Sequence, residues 1–371
     1  MVIFKRTIEK VIKDSLFKGR MIAVLGPRQS GKTTMVKAMI DAYGSDGAYW
    51  DCQLAEVRRH FVVGKPDELL ALTNGKKIVV FDEAQTIQDI GAILKSFHDA
   101  NPGVQIIATG SSSFDLSNKI KEPMTGRIFE FILYPLSLSE VKGSMTADRY
   151  DLDELMLYGS YPAVVAADSS EEKKLVLKNI ATQYLYKDVF IFEAIRNPRV
   201  FEDMVKLLAL QMGSLVSVNE LAEQLGVSRS VVQRYLRLLE QAFIVKVVHS
   251  FSNNPRTELK KAFKVYFLDT GVRNALVDID SPMTARKDAG HIFEGYFLSE
   301  RMKEGSNDSI FPPEIMFWRT RSGLEIDIIE KKGAAITAYE CKLKDKDFSF
   351  ASFKRSYPQA TTRIITPEDL L

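Results

Sequence analysis

The chain has 371 residues and carries 50 Lys and Arg against 48 Asp and Glu, a net charge of +2. That length exceeds what one hydrophobic core supports, so about two to four domains are expected. Near-zero net charge excludes a globally basic nucleic-acid binder and leaves only local patches for that role.

Cys52 and Cys341 stand far apart without metal-type spacing, which fits a reducing compartment. Residues 1–13 mix charges with apolar residues, unlike a signal peptide, and no apolar run approaches membrane-spanning length. The expectation is a cytoplasmic protein without a membrane partner.

Ile3, Ile8, Val11, Ile12 and Leu16 recur at helical spacing with Lys and Arg between them. They predict an amphipathic helix over 3–18, packed on the neighbouring domain or lying on a membrane surface. Next, the apolar run 21–25 reads as a buried strand, 26–34 as Gly-Pro-Arg-Gln-Ser-Gly-Lys-Thr-Thr, and 35–40 as a helix. Strand, glycine-bounded loop and helix are the context a G-x-x-x-x-G-K-[ST] phosphate-binding loop requires. Gly26 and Gly31 permit close backbone approach, while Pro27, Arg28, Gln29, Ser30 and Thr34 complete the cradle. Lys32 is the candidate for the β- and γ-phosphates of ATP, and the Thr33 hydroxyl for Mg²⁺.

Residues 48–51 predict a second strand. A third, 77–82, ends in Asp82 and Glu83, as a Walker B element does. Asp82 is the expected metal carboxylate and Glu83 the general base on the attacking water. The strand 104–110 runs into Ser111, Ser112 and Ser113; either Thr109 or Ser111 is the candidate for sensing the γ-phosphate, against a plain hydroxyl-rich turn. Arg127, after Gly126, is either an arginine finger, in cis or on a neighbouring subunit, or a surface ion pair. Together these elements indicate an AAA-like P-loop ATPase of the additional-strand type, in which a third strand separates the Walker A and Walker B strands.

The residues at 26–34, Phe-Asp-Glu-Ala-Gln at 81–85, Thr-Gly-Ser-Ser at 109–112 and Thr-Gly-Arg at 125–127 also carry a resemblance. With Tyr-Pro-Leu-Ser at 134–137, Tyr-Gly-Ser-Tyr-Pro at 158–162 and Tyr-Lys-Asp-Val at 186–189, the chain resembles a bacterial and archaeal family. This is the family of AAA-type ATPases with a C-terminal domain of unknown function. The resemblance spans nearly the whole chain and implies ATP binding and a nuclease-like fold for the C-terminal region, without naming a substrate.

Residues 150–212 are helix-rich and predict a lid over the nucleotide, from which Arg196 and Arg199 could reach phosphate. From Ser214 to about Asp269 the pattern is that of a winged helix. Ser217 to Glu220 reads as a capping box, 226–228 as a turn, and 229–239 as a second helix. Two strand-like runs, 243–248 and 262–268, flank the polar loop 253–256. Arg229, Ser230, Gln233, Arg234 and Arg237 are then available for DNA, although the same module also docks proteins.

The last hundred residues predict a helix from Ala289 bearing Glu294, then strands at 315–319, 324–329 and 336–342 with a turn at 331–333. Asp327 followed by Glu340-x-Lys342 on the next strand is the pattern of restriction-endonuclease-like nucleases. Period-two alternation puts Glu340 and Lys342 on one face, and a hairpin brings Asp327 alongside. Asp327 and Glu340 are candidate Mg²⁺ ligands and Lys342 a candidate to orient water, against a solvated charged face. His60, His98, His249 and His291 read as packing or surface residues.

The expected fold is thus α/β and multidomain. An AAA-like P-loop ATPase with a parallel sheet covers 1–145 and a helical lid or linker 146–212. A winged helix comes next over 213–270, and a restriction-endonuclease-like domain over 271–371. The function expected is Mg²⁺-dependent ATP hydrolysis controlling a nuclease-like domain that acts on nucleic acid, in particular DNA, with a homo-oligomer open. The alternative is a nucleotide-switched regulatory protein whose C-terminal domain is catalytically inactive.

Overall fold

A computed structural model describes residues 3–61, 63–111, 126–144, 150–183, 195, 197–251, 263–344 and 347–371. The motif at 186–189, Arg196, the loop 253–256, Ser112, Ser113, Thr125 and the domain boundary expected at 145 lie outside these residues.

The first unit is a five-stranded parallel sheet. Helix α1 (Ile8–Lys13) precedes β1 (Met21–Leu25) and α2 (Lys32–Asp41); β2 (Gly47–Asp51), α3 (Ala55–Arg58) and α4 (Pro66–Thr73) come after them. Then come β3 (Ile78–Asp82), α5 (Ile90–Ala100), β4 (Gln105–Gly110) and β5 (Ile128–Ile132). Strand order is β2-β3-β4-β1-β5, so β4 separates the strands that end in the phosphate loop and in Asp82. Strands β1 and β3 are buried along their whole length, which explains their unbroken apolar runs: helices cover both faces. Helix α1 is shorter than the sequence predicts. Its chain leaves the helix at Asp14, and Phe17 and Gly19 adopt left-handed backbone before β1. Ile8, Ile12 and Leu16 still pack on Ile22, Val24 and Met35.

Helices α6 (Leu138–Ser144), α7 (Leu152–Tyr158), α8 (Pro162–Val165), α9 (Ser170–Gln183) and α10 (Pro198–Leu210) form the next layer. A small antiparallel sheet then surrounds a helix–turn–helix. Its parts are β6 (Leu215–Val216), α11 (Val218–Gln224), α12 (Arg229–Gln241), β7 (Val245–His249) and β8 (Phe263–Phe267), with strand order β6-β8-β7. The Ser217 hydroxyl accepts from the Glu220 amide at the start of α11. Ser228 makes no such cap; its hydroxyl pairs with that of Ser230.

Helices α13 (Thr270–Leu276) and α14 (Ala289–Asp308) lead to a third sheet of β9 (Glu314–Arg319), β10 (Glu325–Lys332), β11 (Ala335–Cys341) and β12 (Thr361–Ile365), with α15 (Ala351–Ser356) between the last two strands. Strand order is β12-β11-β10-β9, antiparallel except where β12 joins β11. The β10–β11 turn falls later than predicted: Lys332 pairs with Ala335, and Gly333, with positive φ, opens the bend.

The chain around residue 270, where a domain boundary is expected, packs on the helical layer at 152–160. Helix α13 docks on α7, where Gly271 lies against the Tyr158 carbonyl and Asp269 accepts from the Ser160 and Val272 amides. One apolar cluster runs from Leu152 through Phe201, Tyr235 and Tyr266 to Phe297 and Tyr339, so the middle and C-terminal segments share a core. A Cβ at residue 271 would meet the Tyr158 carbonyl oxygen at 2.0 Å. G271A is therefore expected to destabilise the protein by about 1–3 kcal/mol or more through overpacking. Thermal unfolding measures it, and an unchanged midpoint would contradict this packing.

Candidate active site

The first site lies at the C-terminal ends of β1, β3 and β4, where an open parallel sheet places its ligands. Gly26 is required by a close approach: a Cβ there would overlap the Leu133 carbonyl oxygen at 2.2 Å. Gly31 takes φ of 96° and turns the loop into α2. Lys32 folds back over the loop, its ammonium donating to the Gly26 and Pro27 carbonyls at 2.9 and 2.8 Å.

Asp82 collects three hydroxyl donors. Thr33 Oγ1 and Tyr49 Oη reach Oδ2 at 2.7 and 2.6 Å, and Thr109 Oγ1 donates to Oδ1. Thr109 in turn accepts from the Glu83 amide at 2.9 Å. Glu83 sits in left-handed backbone, φ 53°, a strained conformation for a non-glycine residue. Its Oε2 accepts from Gln85, which also donates to Ser111 Oγ at 3.2 Å. Thr109 and Ser111 are thus buried, Thr109 against Asp82 and the Glu83 amide and Ser111 against Gln85, and neither lines the open cleft.

That cleft has a volume of about 680 Å³, within the range of small-ligand sites. Gln29, Ser30, Gly31, Lys32, Thr33, Thr34 and Glu83 form its polar wall, while Ile3 and Phe4 face Pro162 and Ala163 across it. Arg28 lies off the cleft, and Gly26 and Pro27 face it only through the lysine they hold. Helix α8 thus contributes Pro162 and Ala163 to the same cleft as the loop. Arg199 is exposed on α10 and takes no part.

Arg127 is not placed to act on its own chain's nucleotide. Its carbonyl accepts from Met21 at the start of β1, whereas the phosphate loop lies beyond the end of that strand. A five-residue strand puts roughly 15 Å between them. Its guanidinium pairs with Asp99 at 2.9 Å on the surface, the ion pair weighed against the cis finger.

Sequence reasoning missed Arg6. It is buried under the loop, donating to the Ser30 carbonyl at 2.6 Å and the Tyr134 carbonyl at 2.7 Å, with Glu140 3.2 Å from Nε. Glu140 also accepts from the Thr7 and Ser137 amides. Burial lowers the Arg6 pKa and Glu140 opposes that shift. A lone arginine in a short amphipathic stretch carried no signal of this role.

The second cluster lies on the C-terminal sheet. The antiparallel register that pairs Ile328 with Tyr339 brings Asp327 beside Glu340, and Asp327 Oδ2 accepts from the Cys341 amide at 2.8 Å. Glu340 Oε1 lies 2.5 Å from Lys342 Nζ, and its Oε2 has no hydrogen-bond partner among the described residues. Burial, then Glu294 and Glu340, push Asp327 up to about 7. Burial also raises Glu340 against the pull of Lys342.

Lys264 of β8 was not foreseen either. It is buried between Glu294 at 3.0 Å and Glu325 at 2.5 Å, and Tyr266 donates to Glu294 from the same strand. His291, expected to be a packing or surface residue, places Nδ1 3.5 Å from Glu294. Burial alone would raise Glu294, but His291, Lys264 and Tyr266 bring it below its ordinary value. Among the described residues no group of three or more His, Cys, Asp or Glu is disposed to hold a metal ion. The charge of Glu294 is balanced by Lys264, with His291 nearby.

On α12, Arg229, Ser230, Gln233 and Arg237 are exposed along one face. Arg234 is half-buried with its guanidinium 5.4 Å from the Tyr235 ring.

Residues 18–142 match the model of an AAA domain, 149–283 a domain of unknown function (DUF8612), and 289–369 a second one (DUF4143). An uncharacterized protein of Mycobacterium tuberculosis is 26% identical over 345 residues, 92% of this chain and 74% of its own. One of Methanocaldococcus jannaschii is 23% identical over 375 residues, 95% of this chain and 82% of its own. The chain thus carries an AAA domain followed by a C-terminal domain of unknown function, and is similar to uncharacterized bacterial and archaeal proteins. Among solved structures, Pif1 helicase from Candida albicans overlaps 48% of each chain at 12% identity and a TM-score of 0.25, a likeness too distant to carry an argument. No helix among the described residues is long and apolar enough to cross a membrane.

Both clusters lend themselves to stability measurements. R6A leaves Glu140 buried and unpaired and is expected to cost about 3–5 kcal/mol, measured by denaturant unfolding without nucleotide. For Asp327, a folded pKa near 7 against an ordinary 3.8 means the folded state holds the proton longer. Its contribution is full below pH 4 and is lost as pH rises through about 7. D327N is accordingly expected to raise the melting temperature at pH 8 more than at pH 4.5; equal shifts at both would refute the assignment.

Proposed function

We propose that this protein is a Mg²⁺-dependent ATP hydrolase whose nucleotide state controls the downstream modules. The observation that carries the reading is the convergence of Lys32 and Thr33, at the start of α2, with Glu83, just past β3, on one cleft, where Thr33 also bonds Asp82. The residues fit the ligand: a glycine cradle that a Cβ would fill, a lysine held by two loop carbonyls, and a threonine hydroxyl against the Walker B carboxylate. Bound ATP supplies the scissile phosphoanhydride, and Mg²⁺ supplies neutralisation of its charge.

Gly26, Pro27, Arg28, Gln29, Ser30, Gly31 and Thr34 form the phosphate loop in this reading. Lys32 exchanges its carbonyl partners for phosphate oxygens, and Thr33 with Asp82 holds the metal. Glu83 takes the proton of the attacking water, and Gln85 fixes its carboxylate. Arg127 keeps one role, on a neighbouring subunit of a homo-oligomer.

Downstream, the helix–turn–helix and small sheet are read as a winged helix, with the exposed face of α12 turned to DNA. The C-terminal sheet and α14 are read as a restriction-endonuclease-like fold, with Asp327, Glu340 and Lys342 as its site. The domain limits in this reading are 1–145, 146–212, 213–270 and 271–371.

Lys264 supports the second reading, a nucleotide-switched regulatory protein with a catalytically inactive C-terminal domain. An ammonium already neutralises Glu294 and Glu325 where a metal-dependent nuclease needs open carboxylates.

E83Q is expected to lower the turnover of ATP by about 10²–10⁴-fold with nucleotide binding retained. Labelled single- and double-stranded DNA and RNA, incubated with Mg²⁺ or Mn²⁺ with and without ATP, separate the two readings. Cleavage that disappears in D327A establishes a nuclease, and its loss in K32A shows control by the phosphate loop. Intact ATP turnover with no cleavage under any condition establishes the regulatory protein.

A further inference from the structure

We propose that Tyr49 is a positioning residue for the magnesium-binding carboxylate, an inference that rests on the Mg²⁺–ATP reading above. Tyr49 stands in β2 opposite Val80 of β3. Strand alternation puts it on the same face as Val80 and Asp82, the face covered by α2. From there its hydroxyl lies 2.6 Å from Asp82 Oδ2. Lys37 of α2 lies 4.5 Å from the ring centroid and holds the ring from the helix side.

A phenylalanine would supply the same apolar contact. The hydroxyl is there for a hydrogen bond, since a half-buried donor is costly when unused.

An ionised carboxylate offers about four acceptor positions. Thr33 and Tyr49 fill Oδ2, and Thr109 fills one position on Oδ1. Donors on both oxygens fix the plane of the carboxylate as well as its position. One acceptor position remains for a water of the metal's shell. Thr33 is itself a candidate metal ligand and Thr109 also serves the Glu83 amide. Tyr49 is the member of this set whose whole polar contribution goes to orienting Asp82. Partners of this kind, one bond removed from a metal, alter metal affinity or activity by about 10–100-fold when lost.

The test is Y49F, which keeps the ring and deletes the donor, read by Mg²⁺ titration of nucleotide binding and of ATP turnover in the full chain. The expected result is a rise of about tenfold in the Mg²⁺ concentration for half-saturation. Binding of a fluorescent ATP analogue in EDTA should stay within twofold of wild type. K37M, which frees the ring without touching the hydroxyl, is expected to move the Mg²⁺ midpoint in the same direction by less. A Y49F midpoint within twofold of wild type, or below it, overturns the positioning role while leaving the ATPase reading intact. So does an equal loss of binding with and without metal, the signature of a merely structural residue. Wild-type protein whose nucleotide binding does not respond to Mg²⁺ at all overturns both.

Discussion

The arrangement depends first on a buried guanidinium. Arg6 reaches two backbone carbonyls from different parts of the chain, one in the phosphate loop and one just past β5. Few side chains could do this: the task needs a fixed fork of donors whose charge survives burial. Burial of that charge demands a counterion, and Glu140 meets the demand while accepting two further amides. The segment before α1 therefore forms one wall of the cleft, and the start of α6 is pinned to it. A nucleotide that rearranges the loop acts on a carbonyl already committed to Arg6.

A second buried network continues from there. The Leu138 amide donates to Glu300 on α14, and Lys303 on the same helix binds Glu300, the Leu136 carbonyl and the Ser160 hydroxyl. Ser160 leads to Asp269, which caps α13. The Tyr-Pro-Leu-Ser and Tyr-Gly-Ser-Tyr-Pro segments thus have a physical purpose: they form the polar joint between the parallel sheet and α14. Gly159 is there because any side chain would collide with the Asp269 carboxylate. Charges buried this deeply favour a single arrangement, because partial disengagement leaves an unpaired ion.

Much of this was legible in the sequence where the chemistry is local. The phosphate loop needs glycines, lysine and threonine at fixed spacing, and β3 needs its carboxylates at its end, so both elements could be read from spacing and strand pattern. Asp327, Glu340 and Lys342 were likewise placed together by strand alternation. What could not be read were the contributions made across long sequence distances. Arg6 and Tyr49 are ordinary members of an amphipathic stretch and an edge strand. Lys264 sits among alternating residues of a wing-like strand and resembles any solvent-facing lysine, yet it is one of the most deeply buried side chains. Arg127 shows the converse: its motif is suggestive, but the strand after it carries it to the wrong end of the sheet.

Helix α14 carries Glu294 on its first half and Glu300 with Lys303 on its second, so both clusters are written on one rigid rod. Six residues separate Glu294 from Glu300, about 9 Å of helix rise and well under two turns. The angular relation between the two clusters is therefore fixed by residue count. Adding or removing one residue between them would turn one cluster by about 100° relative to the other. This stretch of helix can vary its side chains over evolution, but it cannot vary its length without repacking one end of the molecule.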